Sequence, residues 1–407
     1  MRKLPFKTNY LLARLLYFIV ATYCWAYTFF MHHYNNYKIF EKAYYHTRAQ
    51  KNLYADYPAD YFDENHYGPI FSLIIAPFAL LPTVMGLWLF NLFNAFLFVL
   101  AIHLLPLSTN KKLFILLCCA IEFASAVQAI QINPVIAALM ILAFLMVEKG
   151  KDEWATLFIV LGTLIKVYPV VALAFFMFSK NRLKFILSGL FWLVVFVCLP
   201  MLISSKQFIL QSYADWYHAL VIKNANNVLL TNDQDLSIMG VFRHFANNHN
   251  LPNTPFLVFG ALVFLLCLFR VSQYHSLKFR MYILASALMI VVLFSTGSEP
   301  PTYIIAVAGA MIWLFLQDTP FSTGNIITLV ALLVITGLVP TDAVPKHIRK
   351  AIVIPLQLKV WPCAFVWLKM SYEMIFKTFK DPDFLIPIKK VNPSNSGILK
   401  TAETKNE

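Results

Sequence analysis

Charge is what this chain has least of. Asp, Glu, Lys and Arg make up 13% of its 407 residues, about half the share found in a soluble domain, while 59% are hydrophobic and mean hydropathy is +0.66. So little charge excludes an ordinary water-soluble domain and predicts a polytopic membrane protein whose residues mostly face lipid or a buried helix bundle. What charge there is leans positive, 33 Lys and Arg against 20 Asp and Glu. These basic residues fall in short clusters between apolar segments, the pattern that sets membrane orientation and attracts anionic headgroups, and not that of a nucleic-acid binder. Cysteine is sparse as well. Cys24, Cys118, Cys119, Cys198, Cys267 and Cys363 lie inside apolar runs without CxxC spacing, which argues against disulfides or a metal site and for small hydrophobes. No small-residue cleavage site follows the first apolar run, so that run reads as a retained span.

Residues 10–30 are apolar over a length that crosses a hydrocarbon core of about 30 Å, and Arg2, Lys3 and Lys7 before them place the N-terminus in the cytoplasm. An external loop is expected over 31–68, where Tyr37, Phe40 and Tyr44 at i, i+3 and i+7 form an amphipathic piece suited to the membrane interface. The stretch from Pro69 to Pro82 is too short to cross alone, so it is either re-entrant or the tilted start of a span completed by 83–107. Lys111 and Lys112, then Lys149 and Lys151, mark cytoplasmic returns around two short segments, 113–130 and 134–147. Lys166, Tyr168 and Pro169 divide 154–179 into two half-helices. Span 185–203 leads to a second external loop, 204–254, and further spans are expected over 255–271, 281–296, 301–317, 325–339 and 352–374. The expectation is an all-α polytopic integral membrane protein with about 10 to 12 membrane segments, some of them broken or re-entrant. It is one multi-span domain over 1–376 in the plasma (inner) membrane, with both termini cytoplasmic and a basic, disordered tail over 377–407.

The stretch from Tyr54 to Pro82 joins an acidic, aromatic loop directly to an apolar helix. Asp56, Asp60, Asp63 and Glu64 stand within nine residues and are followed by Pro69, Pro77 and Pro82. That is where chemistry on a lipid-borne substrate would sit, unless the charges merely keep an external loop wet. Lys166 is costly in a bilayer unless it is paired, faces a water-filled cavity, or snorkels to an interface. Gln131 and Asn133 bond a sugar hydroxyl or cap the helix that starts at Pro134. Arg243 and His244 reach a phosphate or sugar, or stay solvated. Glu299, beside Pro300 and Pro301, is a buried site carboxylate or the start of an interfacial helix.

Taken together, the order of these motifs resembles glycosyltransferase family 87, multi-span enzymes of the GT-C superfamily that draw on polyprenyl-phosphate-linked mannose or a similar donor. The resemblance runs from about Asn36 to Lys184 and rests on an acidic loop, YGPIFSLIIAPFALLP followed by GLWLFNLFN, then QIN before a helix, then LIKVYP. Tyr54, Pro69, Pro77, Pro82, Trp88, Gln131, Asn133, Lys166, Tyr168 and Pro169 stand where the family pattern has them. Two positions depart from it: Asn36 occupies the place of the family's aspartate, and the 298–303 segment, SEPPTY, lacks the histidine of the family's late external element.

What the resemblance implies is a GT-C-like helix bundle with the site on its external loops, carrying out inverting transfer of a hexose, mannose foremost, to a lipid or glycan acceptor of the cell envelope. Such a reaction needs a carboxylate base, in-line attack at the anomeric carbon and cations for the departing phosphate, with no redox cofactor and no metal. With Asn36 unable to serve as base, Asp63 is the first candidate, also readable as a cap or turn residue before the helix at 69, and Asp60 or Glu64 is the reserve. Lys166, Tyr168, Gln131, Asn133, Asn36, Arg243, His244 and Glu299 are the expected donor- or substrate-binding residues. A transporter or flippase of a lipid-linked saccharide, an inactive divergent relative and a membrane scaffold remain open, although no inverted repeat of the hydrophobic pattern accompanies the transporter reading.

Overall fold

Backbone polar groups in apolar surroundings must bond within their own segment, which long apolar runs achieve only as helices. The computed structural model, which describes residues 6–230 and 234–386, is all-helical, with no strand among the described residues. The first half comprises α1 (Phe6–Phe30), α2 (Asn35–Ala49), α3 (Phe71–Ala79), α4 (Thr83–Leu104), α5 (Thr109–Gln128), α6 (Asn133–Glu148), α7 (Asp152–Ile165) and α8 (Arg182–Cys198). The second comprises α9 (Lys206–Asn227), α10 (Ile238–Ala246), α11 (Thr254–Leu268), α12 (Leu277–Leu293), α13 (Tyr303–Phe315), α14 (Thr323–Ala331), the short α15 (Lys346–Ile348) and α16 (Val360–Phe376). Helices α6, α12 and α13 are buried on every face and form the centre of the bundle.

The outer helices are apolar where a soluble protein would be charged. Leu183, Ile186, Leu190 and Val194 on α8, and Leu257, Leu262 and Leu266 on α11, are exposed. A continuous apolar surface of this extent faces lipid or a partner, not water. Among the described residues, three helices, Thr8–Phe30, Thr83–Leu104 and Arg182–Leu202, are long and apolar enough to cross a membrane. These are the features of a helical membrane protein.

Several expected boundaries hold. Helix α2 buries Tyr37, Phe40 and Tyr44 along one face, and the segment containing Lys166 breaks there into α7 and a 3₁₀ helix over Tyr168–Phe178. Residues 69–82 form the separate short helix α3 and do not run on into α4.

Three expectations need correction. The stretch 204–254 is largely helical, with α9 and α10 started by Ser205 and Ser237, whose hydroxyls accept the Phe208 and Gly240 N–H groups. The span expected over 352–374 is split: π-turns over Arg349–Val353 lead to a left-handed Gln357 (φ 50°), and α16 begins only at Val360. Pro355 has no N–H to continue a ladder, and Lys359 is drawn inward to a buried ion pair with Glu122 at 2.6 Å. The first part of the expected disordered tail is docked. Asp381 accepts from Ser276 Oγ at 2.7 Å and from the Leu277 and Lys278 N–H groups at 3.0 and 2.9 Å, which closes the start of α12, and Leu385 pairs with Leu107. Residues 387–407 of that tail, like Arg2 and Lys3 of the basic start, lie outside the described residues.

Candidate functional site

The site is assembled where α5 hands over to α6 and where α7 stops. Ile130 takes a left-handed backbone (φ 52°) at the end of α5, turning the chain so that Gln131 and Asn133 project beside the end of α7. Neither amide caps α6, whose N-cap residue is Ile132. Asn133 instead donates through Nδ2 to the Pro301 carbonyl at 3.0 Å, and its Oδ1 accepts from Lys166 Nζ at 2.9 Å. Gln131 Oε1 accepts from Tyr67 Oη at 3.0 Å and from Lys166 Nζ at 3.3 Å.

Lys166 sits just past α7 in an extended conformation (φ −144°), ahead of Pro169 in the first turn of the 3₁₀ helix. Its ammonium lies 5.4 Å from the Tyr67 ring and 5.5 Å from the Tyr168 ring, and Tyr168 Oη donates to the Gly297 carbonyl at 3.0 Å. No carboxylate among the described residues comes within 4.0 Å of that ammonium; Glu299 and Lys223 are the charges that act on it from further off. The partners are therefore neutral amides and aromatic faces, which orient a cation without neutralising it.

Gly68 explains how the 66–68 segment reaches this point. Its N–H donates to the Ile165 carbonyl at 3.2 Å, and a Cβ there would stand 2.0 Å from the Leu164 carbonyl oxygen and 3.0 Å from the Trp216 ring. Only glycine allows so close an approach. It brings His66 and Tyr67 next to Lys166.

These residues line a cavity of about 680 Å³. Its polar end carries His66, Lys166, Lys223, Asn224, Thr296 and Glu299; its walls are Val170, Leu257, Phe264, Ile290 and Phe294. Val170 and Leu257 are also exposed on the outside of the bundle, so the apolar wall continues into the apolar outer surface. One cavity thus offers a cationic, hydrogen-bonding end and a lipid-like wall. Helix α9 supplies Trp216, Leu220, Lys223, Asn224 and Asn227 to the lining, a spacing of i, i+4, i+7, i+8 and i+11 that marks one helical face.

The acidic loop stands outside the lining. Asp63 is exposed, with a left-handed backbone (φ 78°); its Oδ1 accepts the Glu64 N–H at 2.8 Å and lies 4.0 Å from His66 Nε2. Asp60 is paired with Lys42 at 2.7 Å, which holds its carboxyl below the usual range. Burial, with Asp56 and Asp63 adding to it, raises the Glu64 carboxyl. Asn36 donates to the Ala129 carbonyl at 2.8 Å and so ties α2 to the turn that presents Gln131. Arg243 is buried and forms an ion pair with Asp235, while also donating to Asn253 Oδ1 and to the Leu251 carbonyl at 3.0 Å. It holds α10 against the start of α11. His244, half-buried on α10, is not part of the lining. Glu299, half-buried, lines the cavity and also forms a capping box with Thr302.

The sequence reading passed over His66 and Lys223. The α9 spacing was a usable signal for Lys223, whereas His66 was marked only by its place between the acidic cluster and Gly68. Burial, reinforced by Lys223 and opposed by Asp63, pushes the His66 imidazole down to about 4, and its two ring nitrogens have no hydrogen-bond partner among the described residues. It is neutral in the folded protein at neutral pH. Below its unfolded value near 6.5 the unfolded chain binds a proton that the folded chain refuses, so its contribution to stability is lost as pH falls from about 6.5 towards 4. Acidification from pH 7 to 4.5 should therefore cost the wild type about 2 kcal/mol more than His66→Gln, read as the difference between the two pH profiles of thermal unfolding in detergent. Parallel profiles would show that His66 titrates normally.

A family model described as glycosyltransferase family 87 matches residues 65–296. Searches against curated proteins and against solved structures returned no match. The matched stretch covers more than half of the chain. It contains His66, Tyr67, Gln131, Asn133, Lys166, Tyr168 and Lys223, and ends just ahead of Glu299. That match, over more than half of its length, places the chain in glycosyltransferase family 87.

Proposed function

We propose that this glycosyltransferase moves a hexose, mannose foremost, from a polyprenyl-phosphate donor to a lipid or glycan acceptor of the cell envelope, with inversion at the anomeric carbon. The observation that carries this reading is Lys166: an oriented ammonium with no carboxylate partner among the described residues, at the polar end of a cavity whose wall is continuous with an apolar outer surface. A donor with its isoprenoid chain along Val170, Leu257 and Phe264 brings its phosphate to Lys166 and Lys223. The acceptor hydroxyl loses its proton to Glu299 and its oxygen attacks the anomeric carbon. The bond from that carbon to the phosphate oxygen breaks, and the two lysines stabilise the phosphate that leaves. Glu299 takes the role first assigned to Asp63 because a base must come within about 3 Å of the hydroxyl, and Glu299 is the carboxylate among the lining residues. Asp63, behind His66, is placed to act through that imidazole.

The fold that goes with this reading is a GT-C-like bundle of about 10 to 12 membrane segments in the plasma (inner) membrane. Its termini are cytoplasmic, and the 31–68 and 204–254 segments, which both contribute to the cavity, are external. The test uses purified protein in sealed vesicles of known orientation, given polyprenyl-phosphate mannose on one face and a glycolipid acceptor. Mannosylated product should form only when donor and acceptor share the face that carries Asn52. Movement of the intact donor across the bilayer without product would replace the enzyme with a flippase, and absence of both activities would leave an inactive relative.

A further inference from the structure

Behind the 298–301 segment lies a second cavity, of about 300 Å³, that the transfer reaction does not use. Leu236 and Pro300 form one side of it, with the Leu236 N–H donating to the Ser298 carbonyl at 2.8 Å, so a single stretch of chain separates it from the site of Glu299. Its other side is the irregular segment between α14 and α16. There the backbone is wound into π-turns, with bonds from Ile354 N–H to the Arg349 carbonyl at 3.0 Å and from Leu358 N–H to the Val353 carbonyl at 3.1 Å. Such turns admit an extra residue and re-aim side chains.

Four cations line this cavity: Lys346, Arg349, Lys350 and Lys359. Lys359 is held by Glu122 at 2.6 Å and by the Thr336 carbonyl at 2.8 Å, and Arg349 by Asp342 at 2.6 Å, a carboxylate that is 93% exposed. Lys346 and Lys350 have no carboxylate partner among the described residues. Two positive charges are thus left over. Gln357 also lines the cavity, 1% exposed and held in the left-handed region, with neither Oε1 nor Nε2 hydrogen-bonded to any described residue. An unpaired buried amide is destabilising, and a left-handed non-glycine residue adds strain. Next to the basic rim, Ile352, Leu356 and Trp361 are exposed and apolar.

We infer that this cavity is a second anion site, which takes the phosphate of an anionic lipid on the far side of the 298–301 segment from the donor cavity. Lys346 and Lys350 pair with the phosphate oxygens, the Gln357 amide donates to one of them, and Ile352, Leu356 and Trp361 lie along the first carbons of the lipid chain. A free phosphate offers the same head chemistry but gains nothing from that apolar flank. Occupied, the site holds an anionic lipid against the chain segment that positions Glu299.

The test measures binding of a short-chain phosphatidic acid to the full-length protein in neutral detergent, with phosphatidylcholine and inorganic phosphate as comparisons. Phosphatidic acid should bind, phosphatidylcholine should not, and the Lys346→Gln/Lys350→Gln double variant should lose about tenfold or more in affinity. Both lysines are exposed, so that variant folds. Gln357→Leu should weaken binding as well, and the double variant should lose the same factor in a Lys166→Met background. Equal binding by the double variant, or equal binding of phosphatidylcholine, would overturn the site. Loss of binding in Lys166→Met alone would move the lipid to the donor cavity, and competition by inorganic phosphate at matching concentration would replace the lipid with a soluble phosphate. None of these measurements involves sugar transfer, so their failure leaves the proposed reaction untouched.

Discussion

Glu299→Gln should reduce sugar transfer by about 10²- to 10⁴-fold, the range lost when a positioned general base is removed, while donor binding stays within about threefold of wild type. The choice of glutamine is deliberate. Glu299 and Thr302 form a capping box at the start of the helical run into α13, and a glutamine side chain can still accept the Thr302 N–H. The bundle therefore keeps its fold, and only the ability to take up a proton goes. Transfer assays with saturating donor, alongside equilibrium binding of donor, separate the two effects. If Glu299→Gln retains transfer while Asp63→Asn abolishes it, the proton passes through His66 to Asp63. The base would then belong to the acidic loop and not to the late segment.

Lys166→Met should differ in its signature, weakening donor binding itself by about a hundredfold or more, close to 3 kcal/mol for a charge-assisted contact in a desolvated pocket. The donor phosphate is a diester with one negative charge, and the leaving phosphate has up to two. Lys166 thus interacts more strongly as the reaction proceeds, so kcat should fall together with donor affinity. Methionine matches the length of the lysine stem. Gln131 keeps its bond from Tyr67 and Asn133 its bond to the Pro301 carbonyl, so the local structure survives. Lys166→Arg should recover part of the loss. Wild-type donor dependence in a well-folded Lys166→Met protein would remove the phosphate from this end of the cavity.

How far the sequence reached is clearest at Lys166. A lysine between two apolar runs, followed by a proline, is anomalous on its own terms, because a charge in an apolar segment requires a partner or a cavity. Both the break in the helix and the need of that charge for partners could be read without coordinates. The partners could not. For Gln131 and Asn133 the sequence favoured a cap on α6, and what decides against capping is the left-handed turn at Ile130 together with the approach of Pro301, 168 residues away from Asn133 in sequence.

The acidic loop shows the converse. Four carboxylates close to a membrane segment gave a local signal strong enough to draw the catalytic assignment, yet Asp60 is paired with Lys42 and Asp63 is exposed beyond His66. Arg243 misled in the same way. In sequence it is an isolated basic residue in a polar segment; in the structure it is buried against Asp235. Charge density along a chain reports where water is near, not which side chain faces a cavity.

By itself, the sequence determined the class, the helical segments and most of their breaks, because hydropathy, proline and basic clusters act over a few neighbouring residues. It also determined the family, since the order of short motifs survives without coordinates. Only the tertiary structure decided which charges meet a pocket and which meet each other. Pairs such as Lys359 with Glu122 join residues 237 positions apart. Whether a buried charge is neutralised by a partner or left for a ligand depends on which helices become neighbours, and no local pattern encodes that.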